Sequence, residues 1–197
     1  MSYDRQKYLQ AVKAQLEPNI FFHSLALEAC MGGLYDYLES QKRISNSEPP
    51  KVDWTLAGLI HDIDYSGEFK PFHPQKTKEA LAKYGLTISP VVQEIVLAHD
   101  GRDGIKCQNL AQWSIFCADS LTGLITAVAF VYPSKKLAEV KVSSVLKRFL
   151  KEPRFAAGTR RDEVIKCESE EGLNIKLDKF IEICLTSMQS IADSIGL

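Results

Sequence analysis

Residues 110–131, LAQWSIFCADSLTGLITAVAFV, are the one stretch long and apolar enough to be read as a membrane span, and they carry a single charge, Asp119, near the middle. About 20 apolar residues suffice to cross a bilayer. A carboxylate at the centre of such a span costs about 3 kcal/mol, however, which favours the buried helix of a soluble bundle. That reading sets the fold class. It also raises a question of chemistry, because a lone carboxylate in a core needs a cation or strong hydrogen bonds. On the helix it shares a face with Phe116, Thr122, Gly123 and Thr126, which leave room for a partner.

Outward from this helix the pattern is helical nearly throughout. Tyr3 to Leu16 reads as an entry helix, followed by Phe21 to about Ser40 and, after the polar loop SNSEPP, Val52 to Ile60. Pro74 to Tyr84 stops at Gly85, a glycine C-cap, and Ser89-Pro90 supplies an N-cap and first turn for Val91 to His99. Beyond Pro133, Val142 to Leu150, roughly Arg161 to Ser169, and Leu177 to Ile195 follow. No alternating strand pattern and no internal repeat appears. The expected architecture is a single all-α domain over 1–197, a bundle of about eight helices.

At 197 residues, with 45% hydrophobic and 25% charged side chains, the chain is too apolar to be disordered and long enough for one sizeable core. The 24 Lys and Arg nearly cancel the 25 Asp and Glu, so no global field draws in nucleic acid or an anionic membrane. Five cysteines with no C-x-x-C pair indicate reduced thiols rather than a disulfide framework or a cysteine zinc site. With no apolar h-region near the N-terminus, the expected location is the cytoplasm.

The four histidines, His23, His61, His73 and His99, all fall in the first half of the chain. His99 continues the apolar face of Val92, Ile95 and Val96, and His23 that of Leu27, Cys30 and Leu34, so both imidazoles point into the bundle. Any one of them alone reads as a core histidine bonded to a carbonyl. Two inward histidines, an inward carboxylate and a His-Asp pair on separate helices are instead how bundles build metal sites. Imidazole and carboxylate without thiolate suit Fe, Mn, Zn, Ni or Mg.

The order His23, then His61-Asp62 within AGLIHDID, then Asp119 in a buried helix resembles the H…HD…D signature of the HD-domain metal-dependent phosphohydrolases. The resemblance covers roughly Phe21 to Pro133. It implies an HD core over about 18–133 with a C-terminal helical extension over about 134–197, and makes His23, His61, Asp62 and Asp119 ligands of a divalent metal. His73 and His99 occupy positions similar to the extra ligands of dinuclear members, in which the doublet's aspartate bridges two ions; a solvated loop histidine remains the competing reading for His73. One or two ions of Fe, Mn, Ni, Zn, Co or Mg are thus expected. His99-Asp100 with Gly101 to Gly104 lacks the Tyr-Pro of the HD-GYP phosphodiesterases, and Gly101-Arg102 gives a more distant likeness to HD-class dinucleoside polyphosphate hydrolases.

The implied reaction is hydrolysis of a phosphoester or phosphoanhydride of a nucleotide or other small phosphorylated metabolite. Asp62 and Asp64 are the candidate catalytic carboxylates, Asp64 as acid/base or water-orienting group, with an N-cap or surface turn as its alternative. Arg102 and Lys135 are the leading candidates for holding phosphate, with Lys136 and the Arg160-Arg161 pair behind them. Two other readings stay open: an idle module that senses a phosphorylated ligand, and a di-iron oxygenase on the same scaffold. The extension packs on the core, covers the pocket or forms a homodimer surface.

Overall fold

The computed structural model describes residues 3–101 and 107–197, and among them every regular element is helical. In chain order these are α1 (Arg5–Gln15), α2 (Pro18–Ser40), α3 (Lys51–Ile60), α4 (Thr77–Ala82), α5 (Pro90–Ala98), α6 (Leu110–Phe130), α7 (Val142–Lys151), α8 (Arg161–Val164) and α9 (Leu177–Gln189). Short 3-10 turns cover 67–72, 137–139, 165–168 and 192–195. The all-α expectation holds.

Local chemistry accounts for most boundaries. Ser89 Oγ accepts from the Val92 N–H at 3.2 Å, and Asn109 Oδ1 from the Gln112 N–H at 2.9 Å, capping α5 and α6. Gly85, at φ +67°, closes the turn after α4: its N–H reaches the Ala82 carbonyl, and the Leu86 N–H the Leu81 carbonyl. Several boundaries differ from expectation: α8 and α9 stop at Val164 and Gln189, short of Ser169 and Ile195, each giving way to a 3-10 turn, and two helix starts are shifted. α2 begins at Pro18 rather than Phe21, because a proline fits the first helical turn, where its missing N–H has no partner to lose. α4 starts only at Thr77, because residues 74–76 are bound into a turn, with Thr77 Oγ1 on the Pro74 carbonyl and Asp64 Oδ2 on the Lys76 N–H.

α6 is the central helix. By length and hydropathy it would pass for a membrane span, but 61% of its most apolar window is buried inside the protein. α2 packs against α3, α6 and α9, and α5 bridges α3 and α6. One cluster of buried side chains runs from Tyr8 to Leu197, so residues beyond 134 share the core with those before it. α7 contributes Val145 and Phe149 to that core and leaves Leu150 exposed.

Two close helix contacts set the geometry that matters later. A Cβ on Gly58 would lie 2.9 Å from Glu28 Cα and 3.0 Å from Glu28 N, so only glycine lets α3 lie this close to α2. At Gly33 a Cβ would meet Ser187 Oγ, so the missing side chain makes room for the α9 serine on the other side of α2. α3 itself is anchored by the fully buried Trp54, whose indole N–H donates to the Pro49 carbonyl at 3.0 Å, and by Leu59 and Ile60. Each such aliphatic side chain contributes roughly 1.5–3 kcal/mol on burial, which holds the end of α3 firmly where the His61-Asp62 pair begins.

Candidate metal centre

α3 ends at Ile60, but the chain keeps turning: His61 stays helical at φ −53°, ψ −36°, and the Ile63 and Tyr65 amides bond back to the Ile60 and Asp62 carbonyls. His61 and Asp62 are thereby presented together at the end of the helix. His23 comes from the second turn of α2, Asp119 from mid-α6, His99 from the C-terminal end of α5, and His73 from the turn before α4.

All four imidazoles meet through Nε2. His61 Nε2 lies 3.1 Å from His23 Nε2, and His73 Nε2 lies 3.0 Å from His99 Nε2. Asp62 stands between the pairs. Its Oδ2 is 3.2 Å from His61 Nε2 and 3.7 Å from His23 Nε2, whereas its Oδ1 is 3.4 Å from His73 Nε2 and 3.9 Å from His99 Nε2. Asp119 Oδ1 joins the first pair, 2.9 Å from His23 Nε2 and 3.6 Å from His61 Nε2.

The opposite ring nitrogens decide what these contacts mean. His61 Nδ1 lies 2.9 Å from the Gly58 carbonyl and His99 Nδ1 2.6 Å from the Val96 carbonyl; a carbonyl only accepts, so both Nδ1 atoms carry the proton. His73 Nδ1 donates to Asp64 Oδ1 at 2.7 Å. Thr122 Oγ1 donates to the Asp119 carbonyl at 2.8 Å and accepts from His23 Nδ1 at 2.9 Å. In each neutral ring Nε2 is therefore a bare lone pair, aimed at another lone pair and at carboxylate oxygens. Only positive charge relieves that arrangement, as a proton on one ring of each pair or as metal ions among the donors.

Donor separations fit the second possibility. Bonds of about 2.1 Å give donor-to-donor edges of about 3.0 Å in an octahedron and about 3.4 Å in a tetrahedron; those measured around Asp62 and Asp119 span 2.9–3.9 Å. His23, His61 and Asp62 form one group that could hold a metal ion, and Asp62, His73 and His99 a second. Asp62 belongs to both.

The electrostatics agree. Burial opposes ionisation of Asp62, but the His61, His23 and His99 imidazoles outweigh it and hold its carboxyl well below the usual carboxylate range. Asp119 is likewise penalised by burial and held low by its hydrogen bond to His23 and by the neighbouring imidazoles. Burial, reinforced by His61, pushes the His99 imidazole down to about 4, leaving it neutral. His23 is raised: burial opposes the charge, but Asp119 and Asp62 overcome it.

A cavity of about 360 Å³ opens onto the cluster, and Tyr65, Asp100 and Arg160 line it beside the candidate ligand side chains. Arg160 enters from just before α8. Its Nη2 donates to Asp119 Oδ2 at 2.7 Å and to the His99 carbonyl at 3.1 Å. A second cavity of about 380 Å³ continues past Asp119 and Arg160 between Gly123 and the segment 156–159. Among the described residues Arg160 is the one cationic side chain lining either cavity.

The geometry brings together His23, His61, Asp62, His73, His99 and Asp119, including the loop histidine, whose side chain is 7% exposed. Asp64 lies elsewhere than expected. Its side chain has no solvent exposure and both oxygens are engaged, on His73 Nδ1 and the Lys76 N–H, so it positions His73 and does not face the cavity. Lys135 is exposed in the turn beyond α6 and lines neither cavity, because α6 carries the chain away from Asp119 before residue 135 is reached. Arg102 lies outside the described residues. The cation at the site is Arg160, 41 residues after Asp119, and only its basic character and the small-residue turn AAGT before it marked it in the sequence.

No protein-family model, no curated protein and no solved structure matches this chain.

Proposed function

We propose that the protein is a metal-dependent phosphohydrolase acting on a small phosphate ester. The observation that carries this reading is the sharing of Asp62 between two imidazole pairs, one carboxylate oxygen toward each. The likeness of His23, His61-Asp62 and Asp119 to the HD-domain signature supports it from the sequence side. His23, His61, Asp62 and Asp119 would hold one ion, and Asp62, His73 and His99 another. Bound ions would supply a water acidic enough to act as nucleophile near neutral pH, and would neutralise charge developing on the phosphoryl oxygens.

The chain's own residues do the rest. Four Nδ1–H groups fixed by Gly58, Val96, Asp64 and Thr122 keep each Nε2 basic and pointed inward, so little reorganisation precedes binding. Arg160, one-third exposed and facing the cavity, offers the planar guanidinium that suits phosphate oxygens. In the reaction a water oxygen bonds to phosphorus, the bond from phosphorus to the leaving oxygen breaks, and a proton passes to that oxygen, giving alcohol and phosphate.

The test uses protein purified without a metal-affinity tag, loaded in turn with Mn, Fe, Co, Ni, Zn or Mg and assayed for phosphate release from a phosphoester panel. The expected result is metal-dependent turnover that His61→Ala and Asp119→Ala abolish. Turnover unchanged in both variants, or none with any metal, overturns the reading.

A further inference from the structure

Three cavities meet at His23. Beside the two already described lies a third, of about 300 Å³, which shares His23 and Ile20 with the metal cavity and His23 and Gly123 with the cavity along 156–159. Its character is different. Ile20, Phe22, Phe130, Ile195 and Leu197 make most of its wall, with Asn19 and Thr126 as the polar members. Phe22 and Phe130 are 38% and 56% exposed and line the same slot, so two large aromatic side chains present apolar surface to it together.

Gly123 is the second observation. It sits in the interior of α6, where glycine is destabilising relative to alanine. Unlike Gly58 and Gly33 it answers to no packing demand, since an added Cβ would meet nothing within 4 Å. What the missing side chain leaves is open space at the junction of the apolar slot and the cavity beside Asp119 and Arg160.

We propose that the substrate is a phosphate monoester of an apolar alcohol, its phosphate taken beside the metal ligands and Arg160 and its hydrocarbon part lodged in the slot across Gly123. For its chemistry the inference rests on the phosphohydrolase reading; for its binding it does not. A nucleobase needs donors and acceptors along its edge, and five of the slot's seven wall residues outside the junction are purely apolar. Beside the proposed ions the cavities offer, among the described residues, Arg160 as their one cationic side chain, which suits a single phosphate group better than a polyphosphate.

The experiment compares ethyl, butyl and octyl phosphate with nucleoside monophosphates, below the micelle concentration of the octyl ester, on the metal-loaded full chain and on Gly123→Leu. Burying a methylene is worth about a fourfold gain in affinity, so with about three or four of the roughly six extra methylenes buried in the slot, octyl over ethyl phosphate should show kcat/KM higher by on the order of 100-fold. Gly123→Leu, which fills open space, should fold normally and cut that ratio at least tenfold. A ratio near 1 in the unaltered protein, an unchanged ratio in Gly123→Leu, or better turnover of nucleoside monophosphates overturns the inference while leaving the hydrolase reading intact. Calorimetric binding of octylphosphonate against ethylphosphonate separates the two claims. Chain-length-dependent binding that Gly123→Leu removes, without hydrolysis of any ester, would sink the phosphohydrolase reading and sustain the slot assignment.

Discussion

Removing Asp62 should cost the protein both of its candidate metal positions, whereas removing His73 should cost only one. The asymmetry follows from the distances: Asp62 Oδ2 faces His61 and His23, its Oδ1 faces His73 and His99, and His73 touches the second pair alone. A ligand present at 100 times its dissociation constant stabilises the native state by about 2.7 kcal/mol, which for a domain of this size raises Tm by roughly 5–10 °C. Two occupied positions should therefore shift the unaltered protein by roughly 10–20 °C on titration with Mn or Zn. His73→Ala should bind one equivalent and keep about half the shift. Asp62→Asn should bind little and show almost none. Elemental analysis after gel filtration gives the stoichiometry, and differential scanning fluorimetry the shift. If Asp62→Asn retained two equivalents, or if His73→Ala and Asp62→Asn lost metal equally, the shared carboxylate would not be the organising feature of the site.

Three further outcomes are expected. Arg160→Gln should raise the inhibition constant of inorganic phosphate or vanadate about 10- to 100-fold, the worth of a charged hydrogen-bonded contact, whereas Lys135→Ala should leave it unchanged; equal effects would place the anion elsewhere. Gly58→Ala should lower stability by roughly 1–3 kcal/mol in urea unfolding, because its Cβ would press on the Glu28 backbone. It should also weaken metal binding, since the α2–α3 contact sets the spacing of His23 and His61. Burial pushes the Cys107 and Cys167 thiols up to about 12, so at pH 8 both stay protonated. Iodoacetamide labelling of the native protein, read by mass spectrometry, should be slower than that of the urea-unfolded chain by about three orders of magnitude; rapid native labelling at Cys167 would contradict that burial.

Much of the site could be read from helical periodicity, and what could not lies where periodicity stops. Asp119, His23 and His99 sit on apolar faces of helices, and the structure turns those faces inward, with Thr122 serving as His23's partner. Between Ile60 and Thr77 the chain is turns and a 3-10 segment, which carry no repeating pattern. There the role of Asp64 depends on residues 73–76 folding back to it, a tertiary event invisible in DIDYSG. Arg160 stood behind Arg102 and Lys135 for a related reason: a surface arginine and a site arginine look alike until α8 is docked on α6. The all-α class was legible because caps, glycine stops and the interior charge of α6 all pointed the same way.

Gly33 and Arg160 together have a consequence for how the protein comes into being. His23 rides on a helix pressed against α9, and the arginine that meets Asp119 and the His99 carbonyl is synthesised 61 residues after His99. All six candidate metal donors have been made by residue 119, yet the helix that carries His23 is not packed on its far side until α9 has followed. On the ribosome the donors would wait, gathered in sequence but not in space, until α8 and α9 had been made. Metal uptake would then follow the docking of α8 and α9, making a bound ion a report that these two helices are in place.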